Sequence, residues 1–209
     1  MQDSKGDLVQ GRTRWRRFAA VVVPATVAVG GLLAGVANGA VPVAVNVSGS
    51  SFKISATKLH AEGFAQYGSA VVKPDGTKIP VAAASINHAD ITNLCQSVKF
   101  PGLPLTMVIR AGREAGKPAT ADNLIIGMDY LVADATFHNI DIGVDAGKLS
   151  KGADGDHGST EGFGQQADSA DLNNVKQRAF STHAGTFKLV GLSMSVQPGT
   201  ECFADSDLN

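Results

Sequence analysis

Beyond residue 40, apolar and polar side chains alternate with a period of two. Phe52, Ile54 and Ala56 alternate with Lys53, Ser55 and Thr57, and Val190, Leu192, Met194 and Val196 alternate with Gly191, Ser193, Ser195 and Gln197. Successive side chains of an extended chain point to opposite faces, so both runs predict half-buried strands. Residues 41–47, 79–86, 105–110, 124–130 and 136–144 are further candidates, punctuated by turn formers such as Pro74-Asp75-Gly76 and Pro101-Gly102. No long window keeps the apolar stripe that an amphipathic helix needs. The expected fold class is therefore all-β, a single curved sheet or a β-sandwich, preceded by an N-terminal hydrophobic signal or anchor helix.

The pattern also echoes itself. Glu62-Gly63-Phe64-Ala65-Gln66 recurs as Glu161-Gly162-Phe163-Gly164-Gln165, and Ala89-Asp90-Ile91-Thr92-Asn93-Leu94-Cys95-Gln96 recurs as Ala170-Asp171-Leu172-Asn173-Asn174-Val175-Lys176-Gln177. Ala133-Asp134 with Asn139-Ile140 is a looser third copy. The offsets differ, so a solenoid of fixed period is excluded and a duplicated pair of strand units around one sheet is expected; chance matching of common residues is the alternative. Between residues 147 and 166 the chain collects Gly, Asp, Ser and Lys, which predicts a mobile surface loop.

The N-terminus reads as an address. Lys5, Arg12, Arg14, Arg16 and Arg17 precede an uncharged stretch over residues 18–36, followed by the small residues Ala37, Gly39 and Ala40. This is the three-part plan of a secretory signal, with cleavage between Gly39 and Ala40. The alternative is an uncleaved membrane anchor through residues 18–36, because a stretch of that length spans a bilayer as a helix. Either outcome puts the remainder outside the cytoplasm. The expected domains are 1–39 as signal peptide or membrane anchor, 40–203 as a β-rich exported domain and 204–209 as a flexible tail. The protein is then secreted or held on the outer face of the cytoplasmic membrane. In that oxidising compartment the only two cysteines, Cys95 and Cys202, predict one disulfide, with two free buried thiols as the alternative.

Charge narrows the partners. Residues 40–209 carry 13 basic and 17 acidic side chains, and the basic ones are scattered without interleaved aromatics. That is a poor surface for nucleic acid, and no nucleic-acid partner is expected.

The search for catalytic chemistry returns little. A serine esterase of the common type sets its nucleophile in Gly-x-Ser-x-Gly, and that motif is missing. Ser159, His157 and Asp154 supply the residue types of a triad but lie too close together in one loop to be preorganised. His60, His88, His138, His157 and His183 lack the spacing of a zinc site. Asp154, Asp156 and Glu161 have the carboxylate density of a calcium site but not the spacing of an EF-hand, so they form a weak calcium candidate. No Gly-rich phosphate cradle occurs, no catalytic residue is assigned, and no cofactor is expected.

Six ordered motifs carry a family resemblance. They are Arg12-Thr13-Arg14-Trp15-Arg16-Arg17-Phe18-Ala19, Gly63-Phe64-Ala65-Gln66-Tyr67-Gly68, Thr92-Asn93-Leu94-Cys95-Gln96-Ser97-Val98, Asn139-Ile140-Asp141-Ile142-Gly143, Gly164-Gln165-Gln166-Ala167-Asp168 and Ala184-Gly185-Thr186-Phe187-Lys188-Leu189. Over nearly its whole length the chain resembles an exported actinobacterial family of uncharacterised function, some of whose members are labelled cholesterol esterase. The resemblance brings no catalytic residues. The leading expectation is a non-catalytic cell-envelope or secreted β protein that binds a lipid or other apolar ligand. A sterol-ester or lipid esterase, implied by the label alone, and a structural or adhesive surface protein are the alternatives.

Overall fold

The computed structural model describes residues 49–208. The expected signal or anchor over 18–36, the cleavage between Gly39 and Ala40 and the strand over 41–47 lie outside the described residues. Nine strands follow in chain order: β1 Phe52–Val72, β2 Lys78–Thr92, β3 Leu94–Lys99, β4 Leu105–Ala111, β5 Ala119–His138, β6 Asp141–Asp145, β7 Phe163–His183, β8 Thr186–Lys188 and β9 Ser193–Pro198. All pairings are antiparallel and belong to one sheet, ordered β6-β7-β5-β2-β1-β3-β4-β9, with β8 on β5. The fold is thus all-β and a single sheet, the first of the two expected forms.

An added pairing of β7 with β1 joins the four long strands into a ring, because each of β1, β2, β5 and β7 then has two partners within the set. The ring closes with a large stagger. A walk across the ladders from Phe52 through Ala179, Met128 and Ala82 returns to β1 at Gly68, sixteen positions further along. Closing a sheet requires such an offset and a matching tilt of the strands.

Strands of 20 or 21 residues can follow that path only if they bend, and the sequence supplies the bends. Gly63, Asn93, Asn123, Asn139 and Asn174 all have positive φ, between 50° and 66°. Glycine and asparagine adopt this left-handed conformation at the lowest cost. Each is preceded by an exposed residue and followed by an inward apolar one: Phe64, Leu94, Leu124, Ile140 and Val175. The inward positions are therefore three residues apart at each bend instead of two.

The bends line up across strands. Gly63 lies between the Glu62–His88 and Phe64–Ile86 pairs, level with Asn87, and Asn123 occupies the same level on β5. A second crease joins Asn174, Thr57 and Asn93; Asn93 Nδ2 donates to Thr57 Oγ1 at 3.0 Å and Asn174 Nδ2 to Asp134 Oδ2 at 2.8 Å. Ala170, Ala61, Ala89 and Ala121 form an unbroken row across β7, β1, β2 and β5, all fully buried. Methyl side chains let the creased sheet close tightly beside the larger Phe64, Ile86, Leu124 and Leu172 of the core.

Two expectations are corrected. Residues 136–144 are not one strand: left-handed Asn139 ends β5 and β6 starts afresh at Asp141. The expected mobile loop over 147–166 is shorter and packed down: β7 begins at Phe163, and residues 147–162 are held against the sheet. Leu149 and Ala153 are buried, Ala153 N–H donates to Ser85 Oγ at 3.0 Å, and Lys151 Nζ meets Asp168 at 2.8 Å and the Asn139 carbonyl at 3.0 Å. Within the expected tail, Asp205–Leu208 form a 3-10 turn with Leu208 buried. Lys53 and the Cys95–Cys202 disulfide, whose Cα atoms are 5.9 Å apart, tie this end of the chain down.

Candidate functional site

Where β1 passes beyond the second crease, the ring gives way to an open apron of β1, β3, β4 and β9. Residues directly paired in a ladder present their side chains to the same face. Leu131, Gln177, Ile54, Gln96, Ile109 and Met194 therefore form one row across β5, β7, β1, β3, β4 and β9. Val98, Met107 and Val196 form the next row. At its outer end this face is bare: Met194 is 60% and Val196 56% exposed, as is Leu192 in the preceding turn at 52%. The alternation over residues 190–196 predicts a half-buried strand, but β9 starts only at Ser193 and its apolar residues are exposed, because among the described residues it pairs with β4 alone.

At its inner end the same face runs into a cavity of about 20 Å³ whose walls include Ile54, Leu94, Leu124, Val175 and Phe187. Gln96, Gln177 and Thr182 also line it. Gln177 is 3% exposed. The buried Thr182 Oγ1 has no hydrogen-bond partner among the described residues. Leaving such a group unsatisfied costs about 1–3 kcal/mol. No residue lining the cavity is ionisable.

Sequence reasoning did not single out these three residues, yet a signal for two existed. Gln96 and Gln177 end the two echoed Ala-Asp motifs, and the fold sets them on either side of Ile54. Nothing in the pattern marks Thr182. The other echo has no common geometry, since Gly63 bends a strand whereas Gly162 closes a turn; its Gln66 and Gln165 nonetheless pair directly, with Gln165 Nε2 donating to Gln66 Oε1 at 2.6 Å.

The opposite face of the apron is closed. Cys95 holds Cys202 there, Cys202 N–H donates to Ser97 Oγ at 3.1 Å, and Phe203 is buried. Lys53 Nζ sits among Glu201 at 2.9 Å, Asp205 at 2.7 Å and the Phe203 carbonyl at 3.1 Å. Burial pulls the Lys53 ammonium down, but hydrogen bonds to Asp205 and Glu201 outweigh it and hold the group above its ordinary value.

A polar band crosses the outside of the ring beside the alanine row. Asp171 accepts from Lys58 and His60, each at 3.0 Å, and lies 3.6 Å from His138; the bonds to Lys58 and His60 lower its carboxyl to about 2. His88 lies 2.6 Å from Asp122 and 3.8 Å from Asp90, and the Asp122 hydrogen bond raises it above its ordinary value. Three of the five scattered histidines thus meet carboxylates.

The weak calcium candidate is not assembled. Asp156 accepts from Tyr67 Oη at 2.8 Å, Asp154 and Glu161 are tied through their backbone N–H groups to Asn123 and Asp145, and no group of three His, Cys, Asp or Glu among the described residues is placed to hold a metal ion. Ser159, His157 and Asp154 share no hydrogen bond; His157 Nδ1 lies against the Gly158 carbonyl. Among the described residues no helix is long and apolar enough to cross a membrane.

The fold and site define a class: a disulfide-bearing, all-antiparallel β module whose ring of long strands opens into an apolar apron. The chain belongs to a family of unknown function, DUF6230, whose sequence profile matches residues 48–203. This agrees with the uncharacterised family expected from the motifs. No curated protein and no solved structure matches the chain.

Proposed function

We propose that this is a non-catalytic exported β protein of the cell envelope that holds lipid or other apolar material against the inner face of its apron. One observation carries the reading: an apolar sheet face, bare at Met194 and Val196, runs without interruption into the cavity beneath Ile54 and Gln96. Contiguous exposed apolar surface on a soluble β domain marks an interaction site. Export is supported by the basic and apolar N-terminus and by the disulfide, a bond that persists in oxidising compartments. Solvent extraction of protein purified without detergent from an exporting host, followed by mass spectrometry, is expected to recover a lipid in molar proportion to the protein. An extract empty of lipid, from a protein that also ignores added vesicles, contradicts the reading.

Among the described residues β9 pairs with β4 alone, which favours a second reading, a structural surface protein that self-associates. No charged residue interrupts the chain between Lys188 and Glu201, so this edge lacks the charges with which proteins commonly prevent strand addition. Concentration-dependent dimers in sedimentation, abolished by Ser195→Lys, are the expected result if it holds; a monomer at every concentration contradicts it.

A further inference from the structure

From the edges of the sheet we infer that β9 seats a second copy of the chain: two β9 strands pair antiparallel about a twofold axis through Ser195, joining the apolar rows of both copies. This deepens the self-association reading and rests on it. What it adds is the edge, the symmetry and the register, and with them a surface that serves the apolar-face reading as well.

Edge chemistry is the first argument. An exposed strand edge invites pairing, and proteins guard theirs with charges and bulges. Beyond Met128, β5 pairs with β7 alone among the described residues, and this flank carries Asp129, Asp134 and register shifts next to Met128 and Val132. At the far end of the sheet β6 has Asp141, Asp145 and a register shift at Gly143, whose φ is +84°. β9 has neither device: it follows β4 from Ser193 to Pro198 without a shift, and Ser193-Met194-Ser195-Val196-Gln197-Pro198 is uncharged. A β9 paired with β5 or β6 of the next copy would build an open string of molecules, whereas β9 on β9 closes at two. The guarded edges disfavour the string. The start of the described chain is placed elsewhere, since a Cβ at Gly49 would lie 3.3 Å from Lys73 Cδ, next to the end of β1, and β3 and β4 separate β1 from β9.

Self-complementarity is the second argument. Residues directly opposite in an antiparallel pair face the same side, so a twofold axis between like strands must pass through a residue. With the axis at Ser195, Ser193 meets the partner's Gln197, Met194 meets the partner's Val196, and the strand from Ser193 to Gln197 is used throughout. An axis at Met194 would draw in Leu192 and Gly191 of the preceding turn, where Gly191 has φ +65°. An axis at Val196 would draw in Pro198, which has no N–H to give.

Such an axis stands normal to the sheet, so both apolar faces look one way and both C-terminal straps the other. The row of Gln96, Ile109 and Met194 then runs on through the partner's Val196 and the partner's Met107. Met194 and Val196, bare at the margin of one copy, become the centre of a joined platform.

The test is cross-linking of the protein as an exporting host secretes it, under a mild oxidant, beside sedimentation of the unmodified chain. Ser195→Cys is expected to give a species of twice the mass, linked between the two copies at residue 195. Ser193→Cys, equally exposed, is expected to stay single, because the inferred register sets it about 14 Å along the strand from the partner's own residue 193, beyond disulfide reach. An equimolar mixture of Ser193→Cys and Gln197→Cys is expected to link across the two variants. Equal linking of Ser195→Cys and Ser193→Cys, or linking of neither in a protein that sediments as a dimer, overturns the twofold register while self-association stands. A monomer at every concentration overturns both, and slow amide exchange in β9 of that monomer would mean that the chain's own leading segment, such as the strand expected over 41–47, takes the edge.

Discussion

Five Gly or Asn residues decide the course of the long strands. Gly63 combines two requirements: φ is +66°, and a Cβ there would lie 2.4 Å from the Lys151 carbonyl oxygen of the loop above. Gly63→Ala is expected to destabilise the protein by about 1–3 kcal/mol, read as a lowered denaturation midpoint. At Asn174 the demand is conformational, with a side-chain bond to Asp134 added. Asn174→Gly should cost well under 1 kcal/mol in stability and Asn174→Val about 1–2 kcal/mol, since the left-handed conformation penalises a β-branched residue. A ranking with Val equal to Gly contradicts the crease as described.

The polar band carries a pH signature at the same scale. His88 is raised in the folded state by its Asp122 bond, so its contribution to stability is complete below the ordinary value of 6.5 and is lost as pH rises through the raised value. Asp171 is lowered from 3.8 to about 2, so its contribution is complete above 3.8 and is lost as pH falls toward 2. Carbon NMR titration should find His88 raised and returned to the ordinary range by Asp122→Asn; an unshifted parent His88 contradicts the pairing.

Among elements, β7 shows what the pattern left hidden. Its inward residues switch phase at Asn174, and outward Lys176, Arg178 and Asn173 crowd the run, so simple alternation is broken and no strand is predicted there. The Ala-Asp echo was legible because Asn93 and Asn174 perform the same bend, with Leu94 and Val175 turned inward after them. The loop over 147–162 was misread because its fixtures lie far away in the chain: Ser85, Asn123 and Tyr67 cannot be paired with it by composition.

The C-terminal strap belongs to this scale too. Its disulfide closes a loop of 107 residues, for which the chain-entropy model gives about 4–5 kcal/mol of stabilisation. The paired Cys95→Ser and Cys202→Ser substitution is expected to lose most of that and to speed amide exchange in β3 and β4, whose outer face the strap covers. Exchange unchanged in those strands would show that Lys53, Glu201 and Asp205 hold the strap without the bond.

For the molecule as a whole, composition and period gave the all-β class, and the disulfide followed from cysteine count and compartment. Closure of the ring was not legible, because it depends on a sixteen-residue stagger set by four registers that no local window contains. The apron was half legible: alternation on β9 placed Met194 and Val196 on one face but predicted them buried, whereas the burial of Gln177 emerges only once Ile54 and Leu131 flank it.

The most direct measurement of the central claim is amide hydrogen exchange on the protein as an exporting host secretes it, with and without vesicles containing long-chain alcohol or glyceride. The account predicts lipid-dependent protection confined to Leu105–Ala111 and Ser193–Pro198, lost in Met194→Asp, which sets a charge where lipid would lie. Exchange in both strands that lipid leaves unchanged would contradict the assignment of this face to apolar ligands.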